Sequence, residues 1–472
     1  MSIKPKIGII FITSEWFRDI GLQDSSSLLT NDVDKIANSI VENISTFSEP
    51  IYNGVISSYS FAKESAIKIK EAGADLLLIA PLMWCEDNIL RAVLRELPKI
   101  PIILCTIMPY ESFSNFMSFQ EMLKGSGTVG SQQISGFLRK DGFIYESIAG
   151  YFEDPDFFAE IKKHSIAIAI KNRLKNVKCG ILPFRCDQMA VTYVDEFNIH
   201  KLYGIELKYL ELQRIKDIAQ RFEKSSIDEF KSILDKLGFI VEVNSENLEE
   251  AIKYSLALER VIEDENLKVL AMNDVINEMH SCFGLRPCLV NPKISREGVM
   301  VSMEADVAAG IAMHILHEYT GDSPLYTEIL CADLIDNTFL MGHAGYHDYV
   351  NYDPDYPLKI ISDPEYKNSD RFTGACLYYK YKPGPISIIN SIYDGEKLRW
   401  VVIEGESLPG PLKLEGNSHV YCRIMKPITS FYRETVKIGI SQHWLVVYGH
   451  FMKDLKVLCD WNNIEYIMLD NS

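Results

Sequence analysis

Four side chains in the last third of the chain have the types that could do chemistry together: Glu304, Glu328, His343 and His443. Each stands beside apolar residues, where a charge is costly unless it has a partner. Two carboxylates and two imidazoles are a ligand set that suits a divalent cation such as Mn²⁺. The alternative is that each of the four is separately an ion-paired or hydrogen-bonded core residue, because titratable groups near apolar surroundings also serve structure.

A second group of polar residues offers a rival metal site. His314, His317 and Glu318 lie in an alanine-rich stretch with helical periodicity, and their spacing lets them share one helix face. The stretch lacks the H-E-x-x-H pattern, in which one helix supplies two histidine ligands and a base. We therefore favour the first set as the metal site, and we expect His347 and His450 to support it or to lie at the surface.

Composition limits the classes of function. Of 472 residues, 65 are acidic and 48 basic, giving a formal net charge of -17. Nucleic acids and anionic membranes are bound by clustered Lys and Arg, so we expect neither as a partner. No apolar run reaches the roughly 18 residues of a membrane-spanning helix. The ten cysteines form no CxxC pair and no signal-peptide pattern is visible, which predicts reduced thiols and a cytoplasmic location.

The first third of the chain has the pattern of a parallel sheet. Near-continuous apolar runs predict strands at residues 7–12, 51–56, 75–80 and 100–105, and helical periodicity separates them at residues 32–44, 60–72 and 86–97. Strands that are apolar on both faces and alternate with helices form a parallel sheet covered on both sides. Ligands bind such sheets beyond the carboxyl ends of the strands.

Two further regions follow. A second α/β unit is predicted from a strand at 178–183, a helix at 189–198, a strand at 206–210 and helical stretches at 212–237, 248–272 and 303–319. Short β-rich runs come next, at 375–379, 386–390 and 398–403, with a hairpin turn at Asp394-Gly395. The predicted fold class is therefore two doubly wound α/β domains, residues 1–174 and 175–322, followed by a β-rich, barrel-like domain, residues 323–472.

Four places in the chain resemble the L-arabinose/L-fucose isomerase family. One is Pro383-Gly-Pro-Ile-Ser387 with the following hairpin and Gly405-Glu406, which resemble the family's C-terminal strands. Ser302-Met-Glu304-Ala-Asp306 enters the alanine-rich helix, Thr327-Glu328 is followed by Leu340-Met-Gly-His343, and Gln442-His443-Trp444 precedes a last helix and strand. The length and the three-part organisation also match. The resemblance implies an N-terminal α/β domain, a central α/β domain, a C-terminal β-barrel and a divalent metal, usually Mn²⁺.

The resemblance also implies roles for the four residues. By the arabinose isomerase pattern, Glu304 and Glu328 both bind the metal and move protons, and His343 and His443 are the other two metal ligands. Fucose isomerases use Glu, Asp and His instead, and by that pattern Asp333 would replace Glu328.

The family pattern suggests further contacts around the site. Gln132, Met189 and His280 fall in segments that resemble substrate-lining segments. Arabinose isomerases usually carry a second adjacent histidine near the C-terminus, and this chain has Trp444 in that place. The family also implies a homo-oligomer whose active sites are shared between subunits.

The predicted activity is the interconversion of an aldose and its ketose, with a pentose or 6-deoxyhexose as the implied sugar class. Glutamates whose pKa is raised by burial suit the proton transfer between C1 and C2 through an enediol, and a cation stabilises the charge that develops. A metal-assisted hydride shift would use much the same residues. The alternatives are a sugar-binding or regulatory protein without turnover, and another metal-dependent sugar enzyme such as an epimerase.

Overall fold

The computed structural model describes residues 3–18, 28–97, 99–112, 115–289, 291, 293–366 and 371–469. The chain divides into two compact units, Ile3–Asn172 and Arg173–Ser472. None of the described helices combines the length and the apolar character needed to cross a membrane.

The N-terminal unit is a parallel five-stranded sheet in the order β2-β1-β3-β4-β5. Its strands are β1 (Lys6–Ile12), β2 (Glu49–Ile51), β3 (Leu76–Pro81), β4 (Ile102–Met108) and β5 (Tyr145–Tyr151). The helices of this stretch are α1 (Leu28–Ser45), α2 (Tyr59–Glu71), α3 (Asp87–Glu96), α4 (Phe119–Gly125), α5 (Gly127–Lys140) and α6 (Pro155–Leu174). Every residue of β3 is buried, as expected for a strand covered on both faces.

One predicted strand of this unit is misplaced. The strand predicted at residues 51–56 is instead β2, which ends at Ile51, and Ile56 forms only an isolated bridge to Ile12. Gly54 lies between them with a φ of +108°, a left-handed conformation that interrupts a strand.

The second unit begins with a parallel sheet in the order β10-β9-β6-β7. Its strands are β6 (Lys178–Leu182), β7 (Glu206–Tyr209), β9 (Val269–Met272) and β10 (Met300–Met303), and β8 (Ile240–Val241) lies outside this sheet. The helices are α7 (Glu196–Tyr203), α8 (Leu212–Ala219), α9 (Lys224–Lys236), α10 (Ser245–Glu265), α11 (Asn277–Phe283), α12 (Lys293–Arg296) and α13 (Val307–Thr320).

Four helix predictions in this region differ from the structure. The stretch predicted at residues 212–237 is two helices, α8 and α9, separated by residues 220–223. Residues 269–272 form β9 rather than the end of a helix, because Asn266 adopts the left-handed conformation and ends α10 at Glu265. Met303 ends β10, and α13 starts only at Val307. The helix predicted at residues 189–198 is a short 3₁₀ turn followed by α7.

The C-terminal part of the second unit is a closed antiparallel barrel. Its strands follow the order β15-β18-β11-β12-β17-β16, and pairing between β15 and β16 closes the ring. They are β11 (Leu325–Asp333), β12 (Thr338–His343), β15 (Gly384–Tyr393), β16 (Leu398–Ser407), β17 (Ser418–Ile424) and β18 (His443–Tyr448), with β19 (Glu465–Met468) added in parallel to β16. Helices α14 (Ile428–Ile438) and α15 (Met452–Asn462) complete the region. The predicted class, α/β sheets followed by a barrel-like β region, is confirmed.

The barrel and the preceding α/β region are built together. A three-stranded sheet pairs β8 with β13 (Lys359–Ile361) and β14 (Cys376–Tyr378). One hydrophobic core contains Phe230 of α9 and Ile252 of α10 together with Phe339, Val401 and Val446 of the barrel. The boundary predicted between residues 322 and 323 therefore falls between segments that share a core, and the predicted domain limits stay predictions.

The start of β18 depends on one buried amide. The Asn390 side chain is fully buried and donates to the carbonyls of Ser441 (2.9 Å) and His443 (2.7 Å). We predict that Asn390→Ala lowers the free energy of unfolding by about 2 kcal/mol, because the backbone groups it satisfies stay buried. Urea unfolding measures this change. The exposed Asn43→Ala is the control and should stay within about 0.5 kcal/mol of wild type; equal effects of the two variants would contradict the prediction.

Candidate active site

Glu304 lies in a tight turn between β10, an edge strand of the β10-β9-β6-β7 sheet (called the central sheet below), and helix α13. We call residues 303–306 the Glu304 turn. Glu304 and Ala305 have φ values of +58° and +52°, a left-handed conformation that is uncommon for residues other than glycine. The turn is held by the Ala305 N–H donating to the Met272 carbonyl at 3.0 Å and by the Ser302 hydroxyl donating to the Asp306 carbonyl at 2.7 Å.

Asp306 ends the turn and has two tasks. Its Oδ1 accepts the Ala309 N–H at 2.9 Å and so caps the N-terminus of α13. Its Oδ2 accepts a hydrogen bond from His443 Nδ1 at 2.7 Å. A single buried carboxylate thus connects the turn that carries Glu304 to the first residue of barrel strand β18.

Three adjacent barrel strands supply the other polar groups. Glu328 on β11 pairs directly with His443 on β18, so their side chains share one face of the sheet. His343 is the last residue of β12, which flanks β11 on its other side. Gly345 follows with a φ of +123°, and a Cβ there would lie 2.6 Å from Met303 Cε, so only glycine lets the chain pass this close to the Glu304 turn.

The structure brings all four sequence-selected residues together. One ligand atom from each of Glu304, Glu328, His343 and His443 lies within 4.8 Å of every other. We call this set the four-residue cluster. His443 Nε2 lies 2.8 Å from Glu304 Oε2, and His343 Nε2 lies 3.7 Å from Glu304 Oε1.

Hydrogen bonds fix which nitrogen of each histidine faces the cluster. Nδ1 of His443 donates to Asp306, and Nδ1 of His343 donates to the carbonyl of Ala344. Both Nε2 atoms therefore point at Glu304. This is the arrangement in which a carboxylate or carbonyl behind a histidine orients the opposite nitrogen toward a metal.

The buried charges perturb one another strongly. Burial alone would raise the pKa of Glu304, but the His343 imidazole 3.7 Å away and the hydrogen bond from His443 hold it well below its ordinary value. The raised pKa expected of a proton-moving glutamate is therefore not found at Glu304 in the metal-free protein. Burial would likewise lower the pKa of His443, but Asp306 and Glu304 raise it to about 10. The pKa of His343 is also raised, because the Glu304 carboxylate 3.7 Å away outweighs the effect of burial. In the metal-free protein the two histidines are therefore protonated, and their positive charges pair with the carboxylates of Glu304 and Asp306.

The donor set fits a divalent cation. Two ligands that each lie about 2.1 Å from a metal are at most about 4.2 Å apart, and the four donor atoms span no more than 4.8 Å. Two carboxylate oxygens and two imidazole nitrogens suit Mn²⁺, Zn²⁺ and related cations. The cluster can therefore hold a metal ion after small side-chain rotations.

Glu328 differs from Glu304 in its surroundings. Its side chain is half-buried, and within the described residues its carboxylate makes no hydrogen bond or ion pair. It lines a groove of about 290 Å³ whose walls include Ile329, Phe431, Gln442 and Trp444. Small-molecule sites generally have volumes of about 300–1,000 Å³, so the groove lies at the lower limit of that range.

Gln442 connects Glu304 to Met189. Its Nε2 donates to Glu304 Oε2 at 3.2 Å and lies 3.1 Å from Met189 Sδ. Met189 is therefore adjacent to the four-residue cluster. His280 lies apart from these contacts, stacked on Tyr366 with 3.7 Å between the ring centroids. Gln132 is exposed on α5 in the other unit, and its predicted contact with substrate stays a prediction.

The alternative ligands are placed elsewhere. Asp333 is exposed at the far end of β11, five residues or about 16 Å along the strand from Glu328, and its Oδ1 accepts the N–H groups of Ile335 and Asp336.

The rival histidine group does not assemble a metal site. His314 and His317 bond through Nδ1 to the carbonyls of Gly298 and Asp322 respectively. Within the described residues they belong to no metal-ligand cluster. His347 donates to the His343 carbonyl at 2.7 Å, so it supports the cluster from behind, and His450 is half-exposed beside Glu406.

Two supporting residues were missed from the sequence. Asp306 was not assigned a role, although an aspartate directly before an alanine-rich helix is a recognisable helix cap. Asp274 accepts the backbone N–H of Glu304 at 2.9 Å, yet it is 30 residues away and no local pattern marks it.

Comparison with known proteins adds independent support. No protein-family model matches the chain. Two curated relatives, sulfoquinovose isomerases of Priestia aryabhattai and Priestia megaterium, are each 21% identical to it over 402 residues, which is 84% of this chain and 86% of the relative. The similarity confirms the prediction that the chain is an enzyme of the sugar-isomerase type.

We predict a specific pH dependence for the metal-free protein. Because the pKa of His443 is raised from 6.5 to about 10, the stability from its ion pairs is fully present below pH 6.5 and is lost as the pH rises toward 10. Glu304 has a lowered pKa, so its contribution is present above pH 4.5 and is lost as the pH falls. The difference in unfolding free energy between wild type and His443→Gln should therefore be largest between these values and shrink toward pH 10.

Urea unfolding at each pH, with a chelator present, measures that difference. The Asn43→Ala variant is the control, because it removes no titratable group and should show the same pH profile as wild type. A difference between wild type and His443→Gln that stays constant up to pH 10 would show that His443 is not held as an imidazolium.

Proposed function

We propose that the protein is a metal-dependent aldose–ketose isomerase related to the L-arabinose/L-fucose isomerases. The observation that carries the proposal is the convergence of Glu304, Glu328, His343 and His443, whose donor atoms meet although the residues are spread over 140 positions of the chain. The similarity to sulfoquinovose isomerases over most of both chains supports the isomerase class.

In this proposal the four-residue cluster holds the metal, and Mn²⁺ is the cation we propose. When bound, the cation would polarise the sugar oxygens at C1 and C2 and stabilise the negative charge that develops there. Asp306 and the Ala344 carbonyl keep the histidine Nε2 atoms directed at the site, and Gln442 restrains one oxygen of Glu304.

The two glutamates divide the proton transfer between carbon and oxygen. Glu328 is the base that removes the proton from C2 and returns it to C1, because its carboxylate is unpartnered within the described residues and lines the groove. Glu304 serves the second transfer, in which the hydroxyl proton of O2 passes to O1. Each proton that leaves one atom of the sugar is returned to its neighbour, so aldose and ketose differ only in where the two protons lie.

The substrate is proposed at the level of a monosaccharide. The family resemblance suggests a pentose or 6-deoxyhexose, and the relatives are named for sulfoquinovose. The groove beside Glu328 is small, about 290 Å³, which favours a single sugar unit over a longer saccharide. We further propose a cytoplasmic homo-oligomer with shared active sites, which mass measurement in solution tests.

The first experiment supplies Mn²⁺ and follows each of L-arabinose, L-fucose and sulfoquinovose by product analysis. We expect a ketose from at least one of them and none after chelation. Formation of a C2 or C4 epimer instead would support the epimerase alternative, and sugar binding without tightly held metal or product would support a sugar-binding protein.

We predict that Glu328→Gln lowers kcat by about 10²–10⁴-fold, because the amide cannot accept the C2 proton. Glu304→Gln should abolish turnover while the protein stays folded. The control is Glu406→Gln, an exposed glutamate on barrel strand β16, which should retain wild-type kcat. Unchanged turnover in Glu328→Gln would remove this residue from the mechanism.

A further prediction separates proton transfer from a hydride shift. If Glu328 carries the proton, reaction in deuterated water places deuterium at C1 of the ketose, because the carboxyl proton exchanges with solvent. NMR of the product measures the label. Product free of deuterium under slow turnover would instead support the metal-assisted hydride shift.

A further inference from the structure

A buried network of charges lies behind the Glu304 turn. Arg286 is 2% exposed and binds Asp363 through two hydrogen bonds of 2.6 Å, from Nε and Nη2. Its Nη1 donates to Glu365 at 2.9 Å and to Asp274 Oδ2 at 3.3 Å. Asp274 and Asp363 are both fully buried, so the guanidinium is what makes their charges tolerable.

Asp274 connects this network to the candidate active site. While Oδ2 faces Arg286, Oδ1 accepts the backbone N–H of Glu304 at 2.9 Å. That N–H belongs to the first of the two left-handed residues of the Glu304 turn. A strained turn persists only when its surroundings hold it in place, and this hydrogen bond restrains the residue that carries the carboxylate.

We propose that Asp274, held in place by Arg286, is a positioning residue that keeps the Glu304 carboxylate directed at His343 and His443. The proposal rests on the proposed function, since it assigns a role toward the same metal site. Without the acceptor, the Glu304 N–H loses its partner, and the left-handed turn is restrained only by the bonds of its neighbours, Ala305 to Met272 and Ser302 to Asp306. The carboxylate then moves away from the two Nε2 atoms, although all four ligands are still present.

The acceptor, rather than the charge, is the feature that the turn requires. In Asp274→Asn the side-chain oxygen can still accept the Glu304 N–H. The amide NH₂ then stands in place of Oδ2 and cannot accept from Arg286 Nη1, but Arg286 keeps its two bonds to Asp363 and its bond to Glu365. Asp274→Leu has a similar shape but no acceptor, and Asp274→Ala removes the side chain altogether. The three variants therefore separate the loss of the hydrogen bond from the loss of charge and of volume.

Binding of Mn²⁺ to the purified full-length variants tests the proposal. Titration followed by the electron paramagnetic resonance signal of free Mn²⁺ gives the affinity without any sugar. We expect Asp274→Ala and Asp274→Leu to bind about 10–100-fold more weakly than wild type, the usual loss when a group that orients a metal ligand is removed. Asp274→Asn should remain close to wild type, and the visible spectrum of bound Co²⁺ should change only in the variants without an acceptor.

A second buried ion pair supplies the matched control. Asp353 pairs with Lys380 at 2.7 Å, and both are buried in the same unit. Asp353→Ala should lower stability but leave Mn²⁺ affinity and the Co²⁺ spectrum unchanged. If Asp274→Ala fails to fold, Asp274→Leu provides the same comparison without a cavity.

The outcomes distinguish this inference from the proposed function. Wild-type affinity in a folded Asp274→Leu or Asp274→Ala protein would overturn the positioning role alone, and so would an Asp274→Asn protein as weak as Asp274→Leu. Failure of the wild-type protein itself to bind Mn²⁺ would instead overturn the metal site on which the proposed function depends.

Discussion

The candidate active site depends on the buried carboxylate of Asp306, each of whose two oxygens accepts a hydrogen bond from a different element. Asp306 caps helix α13 with one oxygen and orients His443 with the other. The same histidine reaches Glu304 through its second nitrogen, so the three residues form a continuous chain from the central sheet to the barrel. Because all three are buried, none of them can be satisfied by water if the chain is broken. The relative placement of two different sheets is thereby coupled to the direction of a single imidazole.

That coupling explains why the α/β and barrel regions cannot be treated as independent bodies. The four-residue cluster takes one residue from a turn after a parallel strand and three from neighbouring antiparallel strands. Helices α9 and α10 pack into the same core as the barrel, and Gly310 of α13 lets its helix approach Ser302, where a Cβ would lie 2.8 Å from the hydroxyl. Small displacements at this junction would separate Glu304 from the other three ligands, so close packing there serves geometry as well as stability.

Local patterns in the sequence were sufficient for the broad class of fold but not for the details of the site. Apolar runs located eight of the nineteen described strands, most of them in the two parallel sheets, and the alternation with helices indicated those sheets. The barrel strands β11, β12, β17 and β18 were not predicted. The strand β9 was hidden because its four residues continue the periodicity of α10, and only the left-handed Asn266 separates them. The four ligand types were recognisable because charge stood among apolar residues. Asp274 and Arg286 gave no such signal, since their significance is a contact with a backbone N–H and with Asp363, 77 residues away.

The two glutamates of the cluster differ in burial and in hydrogen bonding. Glu304 is buried and restrained by His343, His443 and Gln442, whereas Glu328 is half-buried and unpartnered among the described residues. In the proposed reaction the restrained carboxylate suits a transfer between two fixed sugar oxygens, and the unpartnered one suits the transfer between two carbon atoms. Trp444 is consistent with this division: successive strand residues face opposite sides, so it packs on Phe431 while His443 faces Glu304. Trp444 therefore forms part of the groove wall and does not displace any member of the four-residue cluster.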